Sequence, residues 1–270
     1  MFSRYPLPYR KTEKASAHQQ FDRAARLQVA SHLPKDCHFP TAKEIIHFEG
    51  KNGPDGLSSK KSSLNDEPWH FLPPNFSDDR LLRHIENHIH NLHAATVKQN
   101  RTRMSFEAAW MAHMIVDGLS PSHHQPFREQ LKELDSRNIE ELRSRLSRMI
   151  TPGTGIKDFL KLNWKRMGPG GVGTNHIMFE LGVEFIMIPF RPKQAAVELS
   201  VADVSRVKSG EYMSMYKDSV KRVDSYQMFE RYEKKGWTEE LARDVKKVMI
   251  PEMIKMISLG WLAGVYGGEK

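Results

Sequence analysis

Three side chains that bind zinc well lie close together in the stretch from Ala112 to His124. His113 and Asp117 are four residues apart, and His123 follows six residues later, after a Ser-Pro pair. The apolar spacing around them predicts a helix, so His113 and Asp117 would share one helix face. We expect that helix to stop at Gly118 and the Ser-Pro turn to bring His123 back towards it. One helix and its exit loop would then offer imidazole and carboxylate ligands to two adjacent zinc ions.

A second histidine–acid pair follows a glycine-rich stretch. His176 and Glu180 are again four residues apart, in a segment that we predict to be helical from a cap at Thr174. The glycine-rich sequence 168–173 does not form a phosphate-binding loop, because no Gly-Lys-Ser or preceding strand accompanies it. It would instead let the start of this helix approach its neighbours closely. The geometry of the first pair is therefore repeated on a separate helix.

Four further candidate ligands stand alone upstream. His18 lies in the first turn of a helix that we predict from a cap at Ser16, where a solvent-facing histidine is as common as a ligand. Asp55 and Asp66 lie in a loop rich in glycine and serine, and most loop aspartates satisfy turns. His70 stands ahead of two prolines, which hold its segment extended. Each of these residues needs partners from elsewhere in the chain to form a site.

A long helix predicted from about Asp78 to Gln99, with Ser77 as its cap, carries four more histidines. His84 and His88 are one turn apart, as two zinc ligands would be. No carboxylate or turn residue accompanies them as it does in the two histidine–acid pairs. We therefore favour a structural interpretation, in which these histidines are partly solvated or hydrogen-bonded.

Composition narrows the class of protein. The 270 residues carry 41 Lys and Arg against 33 Asp and Glu, and the net charge of +8 favours anionic partners such as phosphates, nucleic acid or acidic lipid headgroups. Cys37 is the only cysteine, which excludes an internal disulfide and a thiolate zinc site. The first residues show no signal-peptide pattern, and no apolar run is long enough for a transmembrane segment. We therefore expect a cytoplasmic protein.

The overall pattern predicts an all-α protein. Apolar residues recur at helical spacing, and we find no alternating strand pattern and no internal repeat. We predict a basic N-terminal arm at 1–14 and a single all-α domain at 15–270, with a helical insertion at 126–170. A short basic helix from Ile156 to Met167 lies in that insertion. The apolar stretch from Phe185 to Phe190 is interpreted as a buried helix segment.

Taken in order, these residues resemble the zinc-dependent phospholipase C superfamily, which includes the single-strand-specific zinc nucleases. The resemblance is carried by the two histidine–acid pairs, the His-x3-Asp-x5-His element with its proline, and the His-Phe dipeptide ahead of two prolines. It extends from His18 to Glu180 and consists of motifs and their order. It implies an all-α multi-helix bundle that holds a zinc cluster between its helices.

The resemblance also implies a ligand set for two zinc ions and, where a third is bound, for that ion too. One ion would be bound by Asp55, His70, His113 and Asp117. A second would be bound by His123, His176 and Glu180. The third would share Asp117 and take His18, but the family completes this site with a processed N-terminal tryptophan, which this sequence lacks. Either another group completes that site or two ions suffice. Asp66 stays an alternative to Asp55, and His32, His38 or His47 to His18.

The implied activity is hydrolysis of a phosphodiester, in a phospholipid or a single-stranded nucleic acid, by hydroxide generated at the zinc ions. Asp55 could be both a zinc ligand and a proton acceptor, and Trp69 and Phe71 could contact the substrate. One alternative is a basic helical nucleic-acid-binding or scaffold protein with a degenerate, non-catalytic metal site. Another is a different all-α metal phosphohydrolase, although no histidine here is directly followed by aspartate, as is common in such enzymes.

Overall fold

The computed structural model describes residues 16–49, 52–54, 70–124, 130, 133–135, 150–187 and 197–267. Every regular element in these ranges is helical, which confirms the predicted all-α class for the described part of the chain. The predicted N-terminal arm at 1–14 lies outside the described residues. Of the predicted insertion at 126–170, the described residues include the helix near its end.

The helices are α1 (Ala17–Val29), α2 (Ala42–Ile46), α3 (Arg80–Val97), α4 (Arg101–Leu119), α5 (Ile156–Met167), α6 (Val172–Met187), α7 (Val201–Lys208), α8 (Tyr212–Asp224), α9 (Met228–Lys235), α10 (Glu239–Asp244) and α11 (Ile250–Tyr266). A 3₁₀ turn, Pro121–His123, follows α4. A π-helical turn, Val245–Met249, joins α10 to α11. The helix predicted within the insertion, Ile156–Met167, is confirmed with these bounds.

The last helix, α11, lies at the centre of the core because it is apolar on nearly every side. It packs against α1, α3, α4, α7 and α8. Its Trp261 is fully buried, and the indole Nε1 donates to the carbonyl oxygen of Ala108 on α4 at 2.9 Å. The one polar atom of that side chain is thereby satisfied within the core. This contact fixes α11 against α4, the helix that carries His113 and Asp117.

One helical run in the described part of the chain is long and apolar enough to cross a membrane. It is Glu239–Tyr266, which contains α10, the π-helical turn and α11. In the protein, 83% of the most apolar 18-residue window of this run is buried among the other helices. Packing in the core therefore accounts for its composition.

One predicted helix end is confirmed, and another differs from the structure by one residue. The Ser16 side chain accepts from the N–H of Gln19, and the Gln19 side chain accepts from the N–H of Ser16, so the predicted cap of α1 is confirmed as a reciprocal capping box. Helix α4 was expected to stop at Gly118 and ends one residue later, at Leu119. The N–H of Ser120 then donates to the carbonyl oxygen of Asp117 at 3.0 Å.

Two predicted caps are wrong. Ser77 does not cap α3, which begins at Arg80, and its N–H donates instead to the side chain of Asn75 at 3.0 Å. Thr174 does not cap α6, because that helix begins two residues earlier, at Val172. The Thr174 hydroxyl donates to a carbonyl oxygen at the end of α5. Each helix begins at another residue than the sequence pattern indicated, and at Thr174 the hydroxyl forms a competing local hydrogen bond.

The stretch that begins at Phe185 was interpreted as buried, and this is wrong at Phe185 itself, which is 68% exposed. Helix α6 carries apolar residues around its whole circumference, and only one side faces the core. Phe179, Val183 and Met187 are buried on that side. Residues 188–190, the remainder of the predicted segment, lie outside the described residues.

His88 has the structural role that its surroundings in the sequence favoured. Its Nδ1 donates to Oε2 of Glu107 on α4 at 2.5 Å, and Arg103 forms an ion pair with the same carboxylate. The Trp110 ring packs beside the imidazole, with 6.2 Å between ring centroids. This buried pair ties α3 to α4.

Candidate metal centre

Helix α4 places its two candidate ligands in the interior of the protein. His113 and Asp117 are fully buried on one face of this helix. Close packing around the next residue holds that turn in place, because a Cβ atom on Gly118 would lie 2.2 Å from the Tyr216 hydroxyl. That hydroxyl donates to the carbonyl oxygen of Ile115 at 3.1 Å, so it cannot withdraw without losing a buried hydrogen bond.

The first cluster, His18, His113 and Asp117, joins α1 to α4. Nε2 of His18 lies 3.6 Å from Oδ1 of Asp117, and Nε2 of His113 lies 3.3 Å from Oδ2 of the same carboxylate. The two imidazole rings stack with 4.1 Å between centroids and 8° between planes. One ligand atom from each residue lies within 4.8 Å of the others, so the three could hold one metal ion.

The second cluster, His123, His176 and Glu180, joins the 3₁₀ turn after α4 to α6. Nε2 of His123 lies 2.8 Å from Oε1 of Glu180, and Nε2 of His176 lies 3.1 Å from the same oxygen. All three residues are buried, and their ligand atoms also lie within 4.8 Å of one another. The two histidine–acid pairs read from the sequence thus contribute to separate clusters.

Asp117 connects the two clusters. Its Oδ1 lies 3.8 Å from Nε2 of His123, which belongs to the second cluster. Nδ1 of His70 lies 2.5 Å from Oδ2 of Asp117, so His70 also reaches this carboxylate. With 19% of its side chain exposed, His70 lies at the accessible edge of the centre. Seven predicted ligands therefore lie together: the six residues of the two clusters, and His70, which contacts Asp117.

The resemblance implied that Asp117 is shared between the ion of His113 and a third ion that takes His18. The contacts of both rings with Asp117 agree with a shared carboxylate. Here His18 stacks on His113 and shares Asp117 with it, while His70 contacts Asp117 through Nδ1. The described residues thus form two candidate metal-binding triads.

The outward hydrogen bonds of two rings determine which nitrogen faces the second cluster. Nδ1 of His123 lies 2.7 Å from the carbonyl oxygen of His70, and Nδ1 of His176 lies 3.1 Å from that of Ser122. A carbonyl oxygen can only accept, so each Nδ1 carries the proton. In the neutral rings, Nε2 then presents a lone pair to the Glu180 carboxylate. Two lone pairs facing one carboxylate repel it, and a metal ion bound between them would remove that repulsion.

A separate observation supports His18 as a metal ligand. Both of its ring nitrogens are buried, and neither forms a hydrogen bond within the described part of the chain. A buried imidazole without a hydrogen bond costs free energy, because its nitrogens have lost their contact with water. An ion bound between Nε2 and the Asp117 carboxylate would remove that cost. The side chains that are present therefore fit a divalent cation.

Burial and neighbouring charge keep the groups in the forms that bind metal. Burial, followed by the charge of His113, holds the pKa of His18 well below its usual value, and burial likewise lowers the pKa of His123. Burial opposes ionisation of Asp117 and Glu180, but the surrounding charges and hydrogen bonds, those of the adjacent histidines among them, lower the pKa of both carboxyls well below the usual range. These shifts favour neutral imidazoles at His18 and His123 and charged carboxylates at Asp117 and Glu180, which are the forms that bind divalent metal ions.

Two buried carboxyl groups behind the first cluster were not found from the sequence. Nδ1 of His113 donates to Oε1 of Glu49 at 3.1 Å, which turns Nε2 of that ring towards Asp117. Burial, and then the charge of Glu49, raise the pKa of Asp22 well above its usual range. Asp22 follows His18 by four residues, so its spacing did offer a signal. Glu49 follows a short helix and offered none.

Replacing Glu49 with glutamine should weaken metal binding at the first cluster. The carboxylate fixes the tautomer and orientation of His113, and loss of such a partner typically costs about 10- to 100-fold in metal affinity. Competition with a chromophoric chelator measures this affinity. Glu44→Gln is the matched control, because Glu44 lies on the surface and pairs with Arg101. Wild-type affinity in Glu49→Gln would show that the contact with His113 does not support metal binding.

One of the remaining predicted residues, Phe71, lies in the described part of the chain. Phe71 stacks on His123 with 5.3 Å between ring centroids and 30° between planes, and it is partly exposed. Asp55, its rival Asp66, and Trp69 lie outside the described residues. Their predicted roles therefore stay predictions.

No protein-family model and no curated protein sequence matches this chain. The chain is an all-helical protein, in its described part, with two buried clusters of histidine and carboxylate side chains between the helices. The geometry of these clusters and the chemistry of their side chains are therefore the basis for inferring its activity.

Proposed function

We propose that this protein is a zinc-dependent hydrolase that cleaves phosphodiesters with two metal ions. One observation carries the proposal: two buried triads, each with two histidines and one carboxylate, meet at Asp117. The contact between Asp117 and His123, at 3.8 Å, makes the triads neighbours. Adjacent divalent ions are the arrangement that phosphodiester-cleaving metal enzymes use.

The donor set favours zinc. Each triad offers imidazole nitrogens and a carboxylate oxygen, the set that zinc takes at hydrolytic sites, where three protein ligands leave one position for water or substrate. Calcium and magnesium prefer sites made of oxygen ligands, so four histidines disfavour them. A thiolate site is absent from the proposal because Cys37 is the only cysteine.

Bound zinc would lower the pKa of a water molecule towards neutrality and offset negative charge on the phosphoryl oxygens. The residues of the chain prepare the site for this. Asp117 and Glu180 would supply the charge that retains the ions, while Glu49 and the carbonyl oxygens of His70 and Ser122 orient the imidazole rings. Burial of both triads excludes bulk water and strengthens each electrostatic contact.

Substrate would enter beside His70 and Phe71. The His70 side chain is more exposed than the side chains of either triad, and the partly exposed Phe71 ring lies against His123. An aromatic wall next to the ions could stack on a nucleobase or line the pocket of a lipid headgroup. The shared group is the phosphodiester, and the net charge of +8 favours it in either form. We further propose Asp55 as an additional ligand and proton acceptor, and Trp69 as a second substrate contact.

Metal content and hydrolysis of bis-p-nitrophenyl phosphate, measured on the same zinc-replete preparation, test this function. We expect about two zinc ions per chain and a hydrolytic rate that falls to background with a chelator and returns with zinc. Single-stranded DNA, RNA and phosphatidylcholine then separate the substrate classes. Bound zinc without hydrolysis of any of these would refute the hydrolase. Absence of zinc after metal-replete expression would favour the basic binding or scaffold protein.

A further inference from the structure

Helix α5 presents an apolar stripe to solvent. Ile156 is 81% exposed, Leu160 60% and Trp164 66%, and Met167 continues the row. The steps of four, four and three residues keep all four side chains on one side of the helix. An exposed apolar stripe of this length on a protein surface indicates a docking surface.

Three lysines run beside the stripe. Lys157, Lys161 and Lys165 each follow an apolar member by one residue, so they form a parallel row about 100° further around the helix. All three are exposed. The solvent-facing half of α5 is thus apolar along one row and cationic along the next. This combination is typical of helices that lie in the interface of an anionic membrane.

The opposite side of α5 is firmly attached to the protein, so the exposure of the stripe is a property of the folded structure. Arg166 is buried, and its Nη1 donates to Thr151 Oγ1 at 2.8 Å and to Asp135 Oδ2 at 3.3 Å. The Asn163 amide accepts from the N–H of Thr151 at 2.9 Å and donates to its carbonyl oxygen at 2.7 Å. Helix α5 cannot turn its apolar row inward without breaking these bonds.

We propose that α5 docks this protein on the surface of an anionic phospholipid bilayer. Ile156, Leu160 and Trp164 would enter the boundary between headgroups and acyl chains, where an indole ring is well accommodated. The lysines would remain at the level of the phosphates and carboxylates of the headgroups, and each would add to the attraction. A protein partner would need an apolar groove with acidic groups along one side only. An anionic bilayer offers an apolar interior to the stripe and negatively charged headgroups to the lysines at the same time.

The docking surface goes beyond the proposed hydrolysis and does not depend on it. Helix α5 packs against α6, which carries His176 and Glu180, so docking would fix the second cluster relative to the membrane. Neither row on α5 contains a candidate metal ligand. Vesicle binding should therefore be the same before and after zinc is removed with a chelator.

Cosedimentation of the full chain with sucrose-loaded vesicles tests the proposal. Vesicles of phosphatidylcholine with phosphatidylserine should bind the wild type, and the double substitution Leu160→Ser with Trp164→Ser should weaken binding by about tenfold or more. Changing Lys157, Lys161 and Lys165 to glutamine should weaken it about 100-fold and should abolish the preference over pure phosphatidylcholine. The matched control is Val97→Ser with Val201→Ser, which alters two exposed apolar residues elsewhere and should bind as the wild type does.

Three results would overturn the proposal: no vesicle binding by the wild type, equal binding by the stripe variant, or equal affinity for neutral and anionic vesicles. A dimer in solution that the stripe variant abolishes, without vesicle binding, would assign the stripe to a second copy of the chain instead. Unchanged helical circular dichroism in each variant shows that it has folded. If the wild type binds vesicles but hydrolyses none of the tested phosphodiesters, only the proposed hydrolase function is refuted.

Discussion

Asp117→Asn is expected to lower zinc content from about two ions per chain to one or none and to reduce hydrolysis by more than about 100-fold. The substitution keeps the size of the side chain and removes its charge. That charge faces His18, His70, His113 and His123, so no other single carboxylate in the described part of the chain is shared by so many candidate ligands. Removing a residue that itself binds the metal should lower metal affinity by more than the about 10- to 100-fold that is typical when a hydrogen-bond partner of such a residue is removed.

The control for Asp117→Asn is Asp36→Asn, which makes the same chemical change at an exposed position. It should retain wild-type zinc and activity. Metal content by mass spectrometry and initial rates on bis-p-nitrophenyl phosphate measure both effects. Full zinc and full activity in Asp117→Asn would contradict the shared role of this carboxylate.

His176→Ala should remove the ion of the second cluster and leave the first in place. The two histidine–acid pairs lie in different triads, so loss of one should reduce the zinc content to about one ion per chain, while hydrolysis falls by more than about 100-fold. The reciprocal change, His113→Ala, should also leave about one ion. The double variant should then retain almost none.

His90→Ala is the matched control for these histidine substitutions, because His90 is exposed on α3 and outside both triads. It should change neither zinc content nor rate. Equal losses in His90→Ala and His176→Ala would mean that the measured zinc is bound by surface histidines. Loss of both ions in each single variant would instead indicate one cooperative site.

The sequence predicted the ligand pairs well because their geometry is local. A spacing of four residues on a helix places two side chains on one face whatever the helix packs against, and both histidine–acid pairs meet this condition. The same spacing at His18 and Asp22 was overlooked. There the acid lies near Glu49, and its raised pKa results from burial that only the folded chain creates.

What could not be predicted depends on how distant segments meet. Glu49 reaches His113 across 64 positions of sequence, and no local pattern marks it. The grouping of His18 with His113 results from the packing of α1 beside α4, which spacing does not determine. The resemblance supplied the order of the ligands, but the partition into triads came from the fold.

Errors at helix ends and in burial have the same origin. Ser77 and Thr174 fit the preferences for a cap, yet α3 begins at Arg80 and α6 at Val172, and the Thr174 hydroxyl forms a competing hydrogen bond. Phe185 belongs to an apolar run and still faces solvent, because α6 can bury only one side. The helical spacing of apolar residues predicted the all-α class because many residues contribute to it, whereas a single cap or a single exposed ring depends on one local environment.

Anomalous X-ray diffraction at the zinc absorption edge, on crystals of the zinc-replete protein, tests most directly whether the two triads bind metal. We expect two peaks, one bounded by His18, His113 and Asp117 and the other by His123, His176 and Glu180. Peaks at other histidines, or no peak at either triad, would contradict the proposed metal centre.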